Sequence, residues 1–513
     1  MGRALGLTRS EGAREDLRAS TVPGMAVVIA LDAGTTGVRA LAVDERAHVV
    51  ATAYRELVQH FPRPGWIEHD PAEIARHVDD CLAEVAASLG NEAVAAVGLT
   101  NQRETAVAWD SASGEPLAPA IVWQDRRTAA RCRELQEEGH LGPVRARTGL
   151  VLDSYFSATK WEWLLGEGAV PLSSDLALGT VDSWVAYRLT GRHVTDPSNA
   201  SRTLLYDITA GEWSDELSSL FGLSPRLLPE VVPSSGRIGP LLPRVAAGRL
   251  SGVPLSGMAG DQQAALFGHG CLAEGDCKVT YGTGSFILMN LGSRLPAPVD
   301  GLITTVAWQI GETGERAYAL EGAVFSSGAT IQWLRDGLGI IAEAAEIEPL
   351  ALSVASSEGV TIVPAFAGLG SPWWDPEARA AVIGLTGGTG RGALARAAVE
   401  SICFQVRDVV DAMVSSAGCD LTELRADGGA SVMDLLLQLQ CDQCQVPVVR
   451  AATSEVTALG AAFLAGLAEG VWGAGDLPEL TAPAASFEPR RSRSSVDGDH
   501  GRWLAALGRV RTT

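Results

Sequence analysis

The stretch Val27 to Asp44, VVIALDAGTTGVRALAVD, holds residue types that can grip a polyphosphate. Two apolar runs flank the turn Ala33-Gly34-Thr35-Thr36-Gly37, a pattern that reads as a β-hairpin. At such a tip glycines let backbone N–H groups converge on an anion, the two threonines add hydroxyl donors, and Asp32 at the strand end can hold Mg²⁺ through water. An ordinary structural hairpin would read the same way, but the design recurs. Lys278 to Asn290, KVTYGTGSFILMN, enters Gly282-Thr283-Gly284 on one strand and leaves on another. Two glycine-threonine hairpins in separate halves of the chain suggest two lobes gripping one polyphosphate between them.

Three more places could carry chemistry. In GMAGDQQAALFG, Asp261 lies between glycine and a small-residue helix start, as an N-cap, a working carboxylate, or both. Asn101-Gln102-Arg103-Glu104 joins two short alternating strands, where ligand groups collect in α/β folds and where a solvated turn would also fit. LRADGGA, from Leu424 to Ala430, ends a strand on a glycine pair that lets a flat ligand approach the backbone. Other chemistries find little support. There is no G-x-x-x-x-G-K-[ST] and no dinucleotide G-x-G-x-x-G, and Cys441-x-x-Cys444 has no partner ligand pair. Only 8 histidines occur, without H-E-x-x-H, so a histidine-based zinc or Ser-His mechanism has little basis.

The elements that must position these residues are those of an α/β protein. At 513 residues the chain has material for two or more domains. Its 57 glycines and 20% charged residues suit a globular enzyme rather than a disordered chain. A net charge of -21 argues against nucleic-acid or anionic-membrane partners. Eight scattered cysteines lack the density of a disulfide framework and point to a reducing cytoplasm. Asp70-Pro71-Ala72-Glu73 is a capping box, and Ile74, Val78, Leu82, Val85 and Leu89 then recur at helical spacing. Tyr155 to Lys160 opens an aromatic helix with Trp161 and Trp163, AYALEGAVFSSGATIQW runs from strand into helix, and 455 to 472 form a small-residue helix too short in its apolar core to span a membrane. Residues 224 to 257, rich in Pro, Gly and Ser, read as the end of the first domain and its linker. Residues 1–24 read as a disordered extension with Met25 as a candidate start, and 476–513 read as a polar, locally basic tail.

Across Val27 to Trp472 the chain resembles the FGGY carbohydrate kinases, within the actin, Hsp70 and sugar-kinase superfamily. The resemblance is carried by GWIEHDP, GLTNQRET, AIVWQDRRTA, RTGLVLDSYFSATK, VTDPSNASRTLLYDI, GMAGDQQAALFG, YGTGSF, YALEGAVFSSGATIQWLRD, PAFAGLGSPWWDP and EVTALGAAFLAGL. NQRET, VTDPSNASRT and AGDQQAALFG point to its glycerol-specific branch. The implied fold is α/β, with two ribonuclease H-like lobes, 25–256 and 257–475, and the active site in the cleft between them. The implied reaction moves the γ-phosphoryl group of MgATP to glycerol in the cytoplasm, and the implied assembly is a homo-oligomer, dimer or tetramer. Carried over by position, Arg103, Glu104, Tyr155, Asp261 and Gln262 match polyol hydroxyl contacts, and Trp123 and Phe286 match the apolar wall. Asp261 matches the general base and Asp32 the Mg²⁺ carboxylate. Thr35, Thr36, Gly37, Arg39 and Thr283 match the phosphate cradle, and Gly328, Gln332 and Gly429 the nucleotide pocket. Met433 stands in that pocket's motif where the family has asparagine, Ala33 where glutamine is common, and Gly37 where serine is usual. A kinase for another polyol or sugar, and a nucleotide-binding relative without turnover, are the competing readings.

Overall fold

The computed structural model describes residues 26–512, so the expected extension 1–24 and Met25 lie outside the described residues. The first hairpin forms where expected. β1 (Val27–Ala33) and β2 (Gly37–Val43) pair antiparallel with Asp32 opposite Arg39, and the turn closes on a bond from Gly34 N–H to the Gly37 carbonyl at 2.9 Å. β3 (Val49–Glu56) extends this meander to the sheet edge. β4 (Val94–Asn101) then lies parallel to β1, a geometry that needs a crossover. Helix α1 (Pro71–Ser88) supplies it, started by Asp70, whose side chain accepts from Ala72 N–H at 2.9 Å. Its stripe Ile74, Val78, Leu82 and Val85 is buried in the first core. After an aromatic-lined insertion that contains α2 (Ala158–Leu165), β5 (Ser235–Pro240) and β6 (Pro254–Gly260) complete a six-stranded sheet ordered β5-β6-β4-β1-β2-β3. β6 runs parallel to β4 and hands the chain directly to α3 (Asp261–Gly268).

The second lobe repeats the plan. Its seven-stranded sheet is built from β7 (Cys277–Tyr281), β8 (Ser285–Asn290), β9 (Ile303–Gln309), β10 (Arg316–Val324), β11 (Leu424–Asp427), β12 (Val448–Arg450) and β13 (Ala485–Phe487). The order is β9-β10-β8-β7-β11-β12-β13. β7, β8 and β10 pair antiparallel in that order, with β9 antiparallel to β10 at the edge, whereas β11 is parallel to β7 and β12 to β11. Each lobe therefore sets three antiparallel strands beside parallel ones, the ribonuclease H-like arrangement. Long helix α4 (Arg391–Ala417) and α5 (Asp434–Cys444) enclose the second core. Helix α6 (Val456–Glu469) comes from the second half of the sequence but packs on α3 and on the first sheet. Small residues make this possible: a Cβ on Gly268 would strike the Val456 carbonyl, and one on Gly460 the Ala264 carbonyl.

Two expected boundaries are corrected. Residues 224 to 257 are not a linker, because β5 and the start of β6 pair inside the first sheet. The division expected at 256/257 would cut β6 in the middle, so the first sheet ends at Gly260. Residues 476–512 are also more than the polar tail expected for 476–513. β13 pairs antiparallel with β12, and α7 (Arg493–Leu507), capped by the Ser492 side chain, buries Val496, Trp503, Ala506 and Leu507. The Trp503 indole N–H donates to Asp408 Oδ2 at 2.8 Å on α4. Polar composition masked this helical stripe. Leu507→Ala should lower unfolding free energy by about 2 kcal/mol, as loss of a buried leucine side chain does, in urea denaturation; an unchanged midpoint would mean that α7 does not share a core with Phe404, Val363 and Leu369. No helix among the described residues is long and apolar enough to cross a membrane.

Candidate active site

The β1–β2 turn presents Thr35 and Thr36, with Asp32 partly buried at the end of β1. Burial, then the nearby Asp261 carboxylate, push Asp32 up to about 7, against the opposing pull of Arg39. Arg39 is held from across the lobes: its Nη1 donates to both carboxylate oxygens of Glu455, at 2.6 Å each. The Trp123 indole N–H donates to Thr35 Oγ1 at 3.0 Å, and its ring meets Tyr155 edge to face with centroids 5.5 Å apart. The expected apolar wall is thus bonded directly to the expected phosphate hairpin.

The NQRE connection ends in a buried charge cluster. Glu104 adopts φ +61, a conformation rare for residues with side chains, and is 2% exposed. Its backbone is held in place by neighbours from the start of α2. Ser157 Oγ donates to its carbonyl at 3.0 Å, and the buried Lys160 ammonium donates to the same carbonyl at 3.3 Å and to that of Tyr155 at 2.6 Å. Burial lowers that lysine to about 8. Arg202 Nε donates to Glu104 Oε1 at 2.7 Å and its Nη2 to Glu321 Oε1 at 3.0 Å. Arg103 donates to Glu321 through Nη1 (2.5 Å) and Nη2 (3.2 Å), and its Nε lies 3.1 Å from Asp261 Oδ1. The two arginines balance the two buried glutamates, and the more exposed Asp261 adds a third carboxylate against Arg103. Burial pulls Glu321 upward, but the guanidiniums of Arg103 and Arg202 hold it down to about 2.

Asp261 opens α3 at the end of β6, and its side chain is 33% exposed. Its Oδ1 accepts from Gln262 N–H at 2.7 Å as well as facing Arg103, which leaves Oδ2 for a substrate. Lys278 Nζ, on β7, donates to Gln262 Oε1 at 2.5 Å and to Thr280 Oγ1 at 2.9 Å, fixing the Gln262 amide from the second lobe. Phe286, on β8 opposite Thr280, is partly buried beside the cluster that contains Ala264 of α3.

On the nucleotide side, Thr283 is exposed at the β7–β8 tip, where Gly282 N–H donates to the Gly284 carbonyl at 2.8 Å. Ser327 and Ala329 N–H donate to the Thr283 carbonyl at 2.9 and 3.0 Å, and Gly328 N–H to that of Gly282 at 3.0 Å. The short helix Gly328–Gln332 therefore starts on this tip, with Gln332 exposed. Gly428, at φ +88, packs on the Tyr281 backbone where a Cβ would collide, which brings exposed Gly429 to the same end of the sheet. The expectation for Met433 gives way. Its side chain is 6% exposed within the second core, and it precedes α5 without a capping bond; Glu348 accepts from Leu435 N–H at 2.7 Å instead, and outward-facing Val432 is 71% exposed. Arg202, Glu321, Lys160, Lys278 and Glu455 were not singled out from sequence. An acid inside the apolar strand AYALEGAV was the one available signal, for Glu321.

Two ribonuclease H-like lobes, each contributing a glycine-threonine hairpin, with a partly exposed carboxylate at their junction, are the plan of the two-lobed actin, Hsp70 and sugar-kinase superfamily. The model for the FGGY family of carbohydrate kinases, N-terminal domain, matches residues 27–268, and that for the C-terminal domain matches 277–469. The chain is 49% identical over 496 residues to a glycerol kinase from Aromatoleum aromaticum, covering 95% of this chain and 99% of the relative. Among solved structures, a Plasmodium falciparum glycerol kinase with ADP superposes with a TM-score of 0.91 at 31% identity, covering 96% of this chain and 99% of that one. A xylulose kinase from Rhodospirillum rubrum gives 0.85 at 25% identity, covering 94% and 98%. The chain belongs to the FGGY family of carbohydrate kinases.

Proposed function

We propose that this protein is an ATP-dependent glycerol kinase, forming sn-glycerol 3-phosphate and ADP. The observation that carries the reading is the Trp123 to Thr35 bond of 3.0 Å, which puts a polyol wall in contact with a phosphate hairpin, with Asp261 close enough to Asp32 to raise its pKa. A neutral triol needs directional polar groups at its hydroxyls and an apolar surface behind its carbons. Arg103, Glu104, Tyr155 and Gln262 supply the first, Trp123 and Phe286 the second. Asp261 Oδ2 accepts the proton of the terminal hydroxyl as that oxygen attacks the γ-phosphorus in line. Thr35, Thr36, Arg39 and Thr283 hold the phosphates, and Gly328, Gln332 and Gly429 border the nucleoside. Positioning and charge stabilisation supply most of the acceleration, as in phosphoryl transfer generally.

The donor set suits magnesium. Among the described residues no group of three or more His, Cys, Asp or Glu could hold a metal by itself. Asp32, a carboxylate lifted to about 7 by burial and by Asp261, is short of positive charge, and Mg²⁺ characteristically takes one or two carboxylates plus substrate phosphates. When bound, the ion would neutralise charge on the β- and γ-phosphates. The eight cysteines are all free thiols, in keeping with a cytoplasmic setting.

A coupled ADP-release assay over a panel of polyols and pentuloses tests the substrate. Glycerol should give the highest kcat/KM of the panel. A pentulose exceeding it would place the chain's activity elsewhere in the family.

A further inference from the structure

Gly37 does not need to be glycine for its backbone, since its φ is not in the left-handed region. A neighbour fills the space that a side chain there would take. A Cβ at this position would overlap the Tyr54 ring and hydroxyl. Tyr54 lies on edge strand β3 opposite Arg39 and is 45% exposed, so its ring is not a core residue. Its hydroxyl donates to the Thr36 carbonyl at 3.1 Å, and Leu57 N–H donates to the same oxygen at 2.9 Å. The Arg39 guanidinium carbon sits 5.3 Å from the ring centroid, within cation–π range.

The geometry points to Tyr54 as a positioning residue of the ATP phosphate site, paired with Gly37. Fixing the Thr36 carbonyl fixes the planar peptide into Gly37, whose N–H lies on the opposite side. The donor side of the hairpin tip is thereby set by a side chain on the next strand. The same ring bounds Arg39 on one side while Glu455 holds it on the other. Gly37 and Tyr54 act as one unit: the glycine leaves the space that the tyrosine fills, and the tyrosine returns a hydroxyl to a tip that has no side chain at 37.

This inference rests on the hairpin holding ATP phosphates, as proposed above, and the test separates the two. Steady-state kinetics are measured on the parent protein, Tyr54→Phe, Gly37→Ser, Tyr54→Ala and the double variant Gly37→Ser/Tyr54→Ala. Tyr54→Phe, which removes only the hydroxyl, should raise the ATP KM about five-fold, the worth of one neutral hydrogen bond, and leave the glycerol KM within about two-fold. Gly37→Ser should raise the ATP KM about ten-fold or more in the parent, where the ring must be displaced, but cost under about three-fold relative to Tyr54→Ala alone, a coupling characteristic of side chains in contact. An unchanged ATP KM in Tyr54→Phe, or the same cost of Gly37→Ser in both backgrounds, overturns the proposal. Parent protein that does not turn over glycerol with ATP would instead overturn the functional reading beneath it.

Discussion

Asp261→Asn should lower kcat by about 100- to 10,000-fold, the range that a positioned general base contributes. The amide keeps the shape of the carboxylate and can still face Arg103 and accept from Gln262 N–H, so the start of α3 should stay intact. What it loses is the capacity to take the hydroxyl proton as the oxygen attacks. Glycerol binding should remain detectable by calorimetry, with an affinity within about ten-fold of the parent, a difference of 1.4 kcal/mol. A few-fold fall in kcat would remove Asp261 from the role of base. Loss of glycerol binding together with turnover would mean that the substitution had disturbed the Arg103 cluster beside it.

Glu321→Ala should lower unfolding free energy by about 3–5 kcal/mol at neutral pH, because it leaves two buried guanidiniums without their shared partner. Glu321 is fully buried and takes three hydrogen bonds, two from Arg103 and one from Arg202. Both arginines come from the first half of the chain, whereas Glu321 stands on β10 of the second sheet. The cluster therefore ties the lobes together beneath the proposed polyol pocket as well as orienting Arg103. The sign with pH follows from a carboxyl held below its ordinary value of 4.5, to about 2. Its stabilisation is complete above about 4.5 and is lost as pH falls through about 2, so denaturation at pH 7 measures it in full. The glycerol KM of folded Glu321→Ala protein should also rise, since Arg103 is released. A stability change below about 1 kcal/mol, the level of an exposed ion pair, would show that the cluster is solvated and not a buried tie.

The parts of this site legible in the sequence are those whose chemistry is local. A glycine-threonine turn between apolar runs specifies its hairpin within a dozen residues, and Asp70-Pro71 specifies the start of α1 in the same way. The Glu321 cluster was not legible, because its partners Arg103 and Arg202 lie 218 and 119 residues away and only the fold brings them together. Tyr54 was hidden for a related reason: its relation to Gly37 runs across a strand pairing and not along the chain. The C-terminal segment misled through composition, since arginine, serine and proline outweighed a four-residue apolar stripe in α7. Residues 224 to 257 misled similarly, because edge strands tolerate the Gly, Pro and Ser that otherwise mark loops. Met433 occupies a motif position read as ligand-facing, but the turn before α5 directs its side chain into the core.

The central claim is transfer of a phosphoryl group from ATP to a terminal hydroxyl of glycerol at Asp261. Phosphorus NMR of the purified protein with magnesium, ATP and glycerol tests it most directly, because it follows the γ-phosphorus to its destination. The account predicts that the γ-phosphate resonance is replaced, one for one, by a single phosphomonoester resonance coupled to a CH₂ group, with no accumulation in Asp261→Asn protein over the same interval. Appearance of inorganic phosphate in place of the ester, or ester formation at an equal rate in the Asp261→Asn protein, would contradict it.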